Sequence, residues 1–265
     1  SPVEAGAGGS NSDPGGGGSS GGGAAPVGGA APTGAHIPDV APVQTGEVFT
    51  GDAVDGFEVT DSHYYVQGSP ETITNHYWLG VVRNDSDEMK CRLTVSVNVE
   101  APGSAPVKFA GPVVAPMYRF EGMTNRVYCL APGEHGIAVA QPFEVAPQFD
   151  AEDVTAVSYG VAGETAGDVV PAEWVHVNNV EIEDEGANSR VTGDIETSAE
   201  ASVRSLVAVV FPRNAEGAPL AYFRVADERT TAPEGSLWHF ETPYYDGHFE
   251  AADVFYEHGA VTAAP

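Results

Sequence analysis

Cys91 and Cys129 are the only cysteines in the sequence, and they carry its clearest chemistry. Both lie in segments where apolar and polar residues alternate, so we expect both on β-strands, with Cys91 facing the core. Two cysteines in an exported β-protein typically pair as a disulfide. The bridge would close a loop of about 38 residues and stabilise the fold by roughly 3–4 kcal/mol. Two buried free thiols are the alternative.

Histidines are common metal ligands, but here they are scattered along the chain. The eight are His36, His63, His76, His135, His176, His239, His248 and His258. No His-Glu-X-X-His motif, no Cys-X-X-Cys motif and no histidine pair at i, i+4 occurs, so the sequence does not predict a zinc site.

Acidic clusters in predicted turns are the alternative metal candidates, because calcium prefers clustered oxygen ligands. The first cluster is Asp85, Asp87 and Glu88. The second cluster is Asp150, Glu152 and Asp153. The third is Glu181, Glu183, Asp184 and Glu185. None has the Asp-X-Asp-X-Asp-Gly pattern, and an acidic chain forms such clusters by chance. We therefore predict no cofactor and keep calcium as the alternative.

Motifs for covalent catalysis are missing. Outside the Gly-rich run of residues 15–23 there is no Gly-X-Ser-X-Gly pattern, and no Ser-X-X-Lys pattern occurs. The Gly-rich run itself neither follows a predicted strand nor opens a helix, as a phosphate-binding loop would. The sequence therefore favours a non-catalytic protein.

Aromatic residues concentrate around a turn near residue 244. Aromatic faces beside hydrogen-bonding groups suit sugar rings or a protein partner. The candidate binding residues are Trp238, Tyr244, Tyr245 and His248. Packing of these rings in a core and an ordinary aromatic hairpin is the alternative.

Charge excludes several partners. The chain has 11 Lys and Arg against 38 Asp and Glu, for a formal net charge of −27. Such a surface repels phosphate backbones and anionic headgroups, so we expect no nucleic acid partner and no electrostatic membrane binding.

Residues 1–55 are mostly Gly, Ala, Pro and Ser, with too few large apolar groups to offset the entropy of ordering. We predict a disordered tether. A Ser-Pro start followed by such a tether is similar to bacterial lipoproteins just after their lipidated cysteine. We expect an exported envelope protein, an outer-membrane lipoprotein that contacts the membrane only through an N-terminal lipid anchor. A secreted extracellular protein is the alternative.

From residue 56 onward, short runs of β-branched and aromatic residues alternate with turn residues. They predict strands at 57–66, 76–83, 89–99, 107–120, 125–130, 136–143 and 154–159, and at 174–182, 190–196, 203–211, 220–225, 237–242 and 252–256. Such a series predicts an all-β protein of two tandem antiparallel immunoglobulin-like β-sandwiches, at 56–162 and 172–260.

The second series repeats the first about 113 residues later, so we predict two diverged copies of one module. Residues 77–82 and 93–97 match 189–195 and 206–210, residues 130–134 match 231–235, and residues 151–154 match 251–254. The second copy has no cysteine at the matching places, Arg204 and about Thr230. In its strand 203–211 both faces are apolar, so a neighbouring domain, another subunit or a loop must cover the outer face.

The strand Gly80-Val81-Val82-Arg83-Asn84, the alternating strand 93–99 and the turn Leu130-Ala131-Pro132-Gly133-Glu134 carry a resemblance to a known family. At these residues the chain resembles the tandem immunoglobulin-like modules of bacterial envelope lipoproteins, including the FxLYD type. The resemblance covers residues 75–145 and implies an export-associated module without catalytic residues.

These observations favour a structural or adhesive protein that binds a protein or a glycan at the cell surface. One alternative is a subunit of a homopolymeric surface assembly, in which copies associate with each other. Another is a calcium- or carbohydrate-binding module.

Overall fold

The computed structural model describes residues 40–42, 52–53, 56–67, 75–121, 126–142, 153 and 155–263. These residues form an all-β protein built from almost entirely antiparallel sheets, which confirms the predicted fold class. Most of the predicted tether lies outside the described residues. Within it, the two short strands β1 and β2 pair with β10.

Every strand pairing of the described residues joins strands within 40–171 or within 175–263, and we call these parts the first unit and the second unit. The strands of the first unit are β1 (Val40–Pro42), β2 (Asp52–Ala53), β3 (Phe57–Gln67), β4 (Asn75–Asn84), β5 (Lys90–Glu100), β6 (Val107–Val114), β7 (Met117–Phe120), β8 (Arg126–Leu130), β9 (His135–Pro142), β10 (Ala156–Thr165) and β11 (Val169–Pro171). Those of the second unit are β12 (Val175–Glu185), β13 (Asn188–Thr197), β14 (Ala201–Arg204), β15 (Val207–Arg213), β16 (Phe223–Ala226), β17 (Thr231–Ala232), β18 (Leu237–Glu241), β19 (Tyr245–Asp246), β20 (Ala251–Glu257) and β21 (Val261–Ala263).

The first unit has one continuous sheet, in the order β10-β5-β6-β9-β4-β3, which curls around its core. The two end strands meet where the Val59 backbone N–H donates a hydrogen bond to the Tyr159 hydroxyl, at 3.2 Å. Most of the enclosed side chains are apolar, and the largest that are fully buried are Trp78, Phe109 and Leu130. The alternating residues of β5 from Leu93 to Val99 point into this core, as their periodicity predicts.

The second unit packs a four-stranded sheet and a three-stranded sheet face to face as a β-sandwich, and β17, β14 and β21 form a further small sheet. The four-stranded sheet has the order β12-β13-β18, with β19 also paired with β13, and the three-stranded sheet has the order β16-β15-β20. Between them lies an apolar core that includes Ile195, Leu206, Val210 and Phe240.

The two units share one pattern of strand pairing, which supports the predicted duplication. Strand β4 pairs with β3 and β9, as β13 pairs with β12 and β18. Strand β5 lies between β6 and β10, as β15 lies between β16 and β20. Arg92 and Ser205 have the same left-handed backbone, with φ of 52° and 50°. These two residues are 113 positions apart, so the local distortion recurs at the repeat distance.

A glycine beneath an aromatic ring also recurs at this distance. A Cβ atom on Gly80 would lie 2.4 Å from the Trp78 ring, and one on Gly193 would lie 2.8 Å from the Phe240 ring. Any larger residue would displace a core aromatic in either unit, so both positions require glycine.

An apolar interface joins the two units. Tyr77, Leu79 and Ile137 on β4 and β9 contact Val209 and Phe211 on β15. The Phe211 ring, which is fully buried, stacks on Tyr222 at 5.3 Å. The outer face of the predicted strand 203–211 is therefore covered by the neighbouring unit, the first of the three alternatives.

Candidate functional site

Cys91 and Cys129 form a disulfide, as the sequence predicts. The two residues are direct partners in the short pairing of β5 with β8. Cys91 is buried, as the sequence predicts, but it does not join the main core of the first unit. A β-bulge at Arg92 turns Cys91 away from the Leu93 side, into a separate small cluster with Tyr118 and Val127.

The disulfide fixes the β7–β8 hairpin against β5, and one face of this hairpin is directed at the second unit. Met117 pairs with Tyr128, and Arg119 pairs with Arg126. Because residues opposite each other and two apart along a strand share a face, these four side chains project from the same side.

A cleft of about 450 Å³ separates this hairpin from the second unit, and we call it the inter-unit cleft. The first unit contributes Met117, Arg126, Val127 and Tyr128. The second unit contributes Ser205, Val207, Arg224, Glu257, His258 and Gly259. The volume is in the range of small-molecule binding sites, which are commonly found between domains.

One polar atom of the cleft residues, Nε2 of His258, is buried with no hydrogen-bond partner. The Tyr128 hydroxyl is also buried without a short hydrogen bond, but the Glu257 carboxylate lies close enough to act as its acceptor. Buried polar atoms are normally satisfied, so each unsatisfied one requires an explanation such as a bound water or ligand. Burial, and then the charge of the nearby Glu257, raise the pKa of Tyr128, so this hydroxyl stays protonated.

His258 is 2% exposed, and burial lowers its pKa to about 4. Its Nδ1 lies 2.9 Å from the Gly259 carbonyl oxygen, which fixes the proton on that nitrogen. The ring packs against Trp174 and Tyr256. The imidazole is therefore neutral at neutral pH, with an unprotonated Nε2.

Arginine side chains provide the positive charge of the cleft. The Arg126 guanidinium donates a 2.5 Å hydrogen bond across the unit boundary to the Gly259 carbonyl oxygen. Arg224 forms an ion pair with Glu257. Arg119, beside the cleft, lies over the Trp174 ring at 5.6 Å.

The aromatic residues predicted as a binding site do not form one surface. Trp238 pairs with Ile195 and Tyr245 with Ser189, six residues apart on β13, which is roughly 20 Å at 3.4 Å per residue. Trp238 packs against Phe240.

The other members of that set also have local partners. Tyr245 packs against Phe249 at 5.0 Å. Tyr244 is 40% exposed and lies beneath the Arg190 guanidinium. His248 bonds to Asp184 at 3.3 Å. This arrangement agrees with the alternative of core packing and an aromatic hairpin.

Two of the three calcium candidates, Asp85 and Glu88, are engaged with cations. Asp85 bonds to Arg83 at 2.6 Å, and Glu88 bonds to Lys90 at 2.6 Å. Asp87 is exposed nearby. In the ranges that the structure describes, no three His, Cys, Asp or Glu side chains are grouped so that they could hold a metal ion. Asp150 and Glu152 of the second cluster lie outside those ranges.

Sequence reasoning missed the inter-unit cleft, because its residues form no motif and come from both copies. The one feature of the sequence that indicates this region is the position of two arginines in a chain with few basic residues. Arg119 and Arg126 are two of only 11 cations, and they flank one predicted turn.

Comparisons with known protein families, curated proteins and solved structures find no match for this chain. The resemblance to FxLYD-type modules stays a prediction. No helix in the described part of the chain has the length and apolar character needed to cross a bilayer.

Proposed function

We propose that this protein is a non-catalytic ligand-binding protein of the cell envelope, exported and adhesive in role, with its ligand site in the inter-unit cleft. One observation carries the proposal. The cleft is walled by both units, and His258, which lines it, has a buried ring nitrogen without a partner. A bound ligand or ordered water is the usual reason for such atoms.

The apolar interface supports this role, because it holds the two walls of the cleft in one arrangement. Phe211 and Val209 of the second unit are fully buried against the first unit. A site whose walls are already fixed loses less entropy on binding than a flexible one. Binding between the units therefore needs no large rearrangement.

The chemistry of the cleft supports a non-catalytic role. Ser205 and His258 both line it, and a serine activated by a histidine would be a nucleophile. However, Nδ1 of His258 is bonded to the Gly259 carbonyl oxygen and its Nε2 has no partner, so the imidazole does not activate Ser205. The geometry needed for nucleophilic catalysis is thus missing at this serine.

A ligand screen with a matched pair of variants tests the proposal. The full chain is screened on a glycan array and against a small-molecule library by ligand-observed NMR. Val207→Trp fills the cleft from β15, whereas Leu237→Trp adds the same ring at a position that is 61% exposed. Circular dichroism checks that both variants fold.

We expect a ligand that binds the wild type and Leu237→Trp but is lost from Val207→Trp. A ligand that binds all three equally would show that the site is elsewhere. Absence of any ligand in both screens would remove the proposal. Assembly into a surface polymer stays a prediction from the sequence, which light scattering across concentrations would test.

A further inference from the structure

We infer that the inter-unit cleft binds an oxyanion, a carboxylate, sulfate or phosphate group of a small molecule, through the guanidinium groups of Arg126 and Arg119. This inference rests on the proposed function and names the chemistry of its ligand.

The distribution of ion pairs is the first argument. Seven of the 11 basic residues form ion pairs with carboxylates of the described residues: Arg83, Lys90, Arg92, Arg190, Arg213, Arg224 and Arg229. The remaining four, Lys108, Arg119, Arg126 and Arg204, have no carboxylate partner among those residues. In a chain with 38 acidic residues, a cation has many candidate partners. Several arginines close together without a carboxylate partner among the described residues are therefore unexpected.

Three of these four cations lie around the cleft. Arg119 and Arg126 are directly opposite each other in the β7–β8 pairing. Arg204 adjoins the cleft, because its carbonyl oxygen accepts a 2.5 Å hydrogen bond from the Gly259 backbone N–H. Like charges opposite each other on neighbouring strands destabilise a sheet. An anion between them would remove that repulsion.

The N–H donors of the two guanidinium groups suit an oxyanion. A guanidinium has five N–H donors in a planar fork that matches an oxyanion. Arg126 uses its Nη1 on the Gly259 carbonyl oxygen, which fixes the side chain and leaves further donors. Arg119 is held over the Trp174 ring. Both guanidinium groups are thus positioned before a ligand arrives.

The carboxylate that lines the cleft is paired with a different arginine. Glu257 lines the cleft, but it forms its ion pair with Arg224. The positive charge of Arg126 and Arg119 therefore remains available. The net charge of −27 opposes the approach of anions, so binding in the cleft would depend on short-range contacts with these guanidinium groups.

The experiment measures binding of four defined probes to the full chain by NMR titration and calorimetry: glucuronate, inorganic phosphate, inorganic sulfate and glucose. Glucose is the neutral counterpart of glucuronate. The variants are Arg126→Gln and Arg119→Gln, with Lys108→Gln as the control. Lys108 is exposed on β6, does not line the cleft, and its replacement changes the net charge by the same amount.

We expect at least one of the three anions to bind, with glucose unbound. Arg126→Gln should weaken that binding by about tenfold or more, the usual effect of losing a charged hydrogen bond. Lys108→Gln should leave it within about twofold, and added salt should weaken it. Arg126→Lys, which keeps the charge, should retain part of the affinity. The anion that binds best distinguishes a carboxylate from a phosphate or sulfate ligand.

Equal loss of binding in Arg126→Gln and Lys108→Gln would overturn the inference, because it would indicate a general charge effect. Failure of all three anions to bind would overturn it as well. If a neutral ligand were then lost from Val207→Trp, the proposed function would stand without this inference. If no ligand bound the cleft, both would fall.

Discussion

Removing the disulfide should destabilise the fold by an amount that the structure allows us to calculate. We consider the double variant Cys91→Ala, Cys129→Ala. The bridge closes a loop of 38 residues, and the chain-entropy relation gives about 4 kcal/mol at 25 °C for a loop of this length. Without the bridge the unfolded chain gains that entropy, so the free energy of unfolding falls.

The structure offers little to compensate this loss. Strands β5 and β8 are joined by only two residue pairs, Lys90 with Leu130 and Cys91 with Cys129. Both sulfur atoms are buried, so their removal also costs packing. For a folded region of this size, about 4 kcal/mol corresponds to a fall in Tm of roughly 8–16 °C.

The assay is urea unfolding of the wild type and the double variant without reductant. A third sample, the wild type unfolded and refolded in reductant, keeps both sulfur atoms and isolates the cross-link from the packing loss. A difference of less than about 1 kcal/mol between the wild type and both other samples would refute the reasoning. Peptide mapping that found two free thiols in the wild type would refute it directly.

Three further predictions concern the interface, the duplication and a buried imidazole. Phe211→Ala should lower the free energy of unfolding, measured in urea, by about 3–5 kcal/mol. The exposed control Leu237→Ala should lower it by at most about 0.5 kcal/mol. Two separate unfolding transitions in the wild type would contradict a shared interface. Arg204→Cys with Thr231→Cys should form a disulfide, detected by mass spectrometry, because these residues pair in β14–β17 as the native cysteines pair in β5–β8; free thiols after oxidation would contradict the matched register. Burial lowers the pKa of His258 to about 4, so the unfolded chain takes up its proton first. The free energy of unfolding should therefore fall by about 3 kcal/mol as the pH is lowered from 6.5 to 4. His258→Gln should remove that part of the pH dependence. The same dependence of unfolding free energy on pH in both proteins would argue against it.

Local pattern was enough to predict most strands. The predicted strand 76–83 is β4, Asn75–Asn84, and the predicted strand 190–196 is β13, Asn188–Thr197. These strands were readable because burial on one face imposes a period of two on the sequence. The pairing of Cys91 with Cys129 followed from composition alone.

The alternating pattern does not predict where the backbone of a strand is interrupted. The predicted strand 107–120 is two strands, because the chain leaves β6 at Ala115 and Pro116 and begins a new hairpin at Met117. The predicted strand 203–211 is also two, divided at Ser205 with its positive φ. Neither Arg92 nor Ser205 is a residue type that signals a left-handed backbone.

Two of the repeat matches were wrong. The match of residues 130–134 to 231–235 is displaced by one residue, because Arg204 pairs with Thr231 as Cys91 pairs with Cys129, so Ala232 is the counterpart of Leu130. Residues 151–154 and 251–254 were paired by their identical Asp and Val residues. In the structure Asp253 lies on β20 opposite Phe211, whereas Asp153 precedes β10. Register from the strand pairing makes Ser158 the counterpart of Asp253, since Tyr159 pairs with Val97 as Val254 pairs with Val210.

The inter-unit cleft could not be predicted, because it depends on how the two units dock. Arg126 and Gly259 are 133 residues apart in sequence and bond only across the interface. No local periodicity encodes that contact. The apolar outer face of β15 indicated that something packs there, without indicating which surface.

The composite origin of the cleft bears on how the molecule evolved. One wall is a hairpin present in the first copy, and the other consists of strand ends in the second copy, so the two walls are not equivalent pieces of the repeat. A single unit therefore has only one wall of the cleft. If the two units arose by duplication, as the repeat predicts, the cleft formed only when they were joined in one chain. Neither unit expressed alone should then bind the proposed ligand.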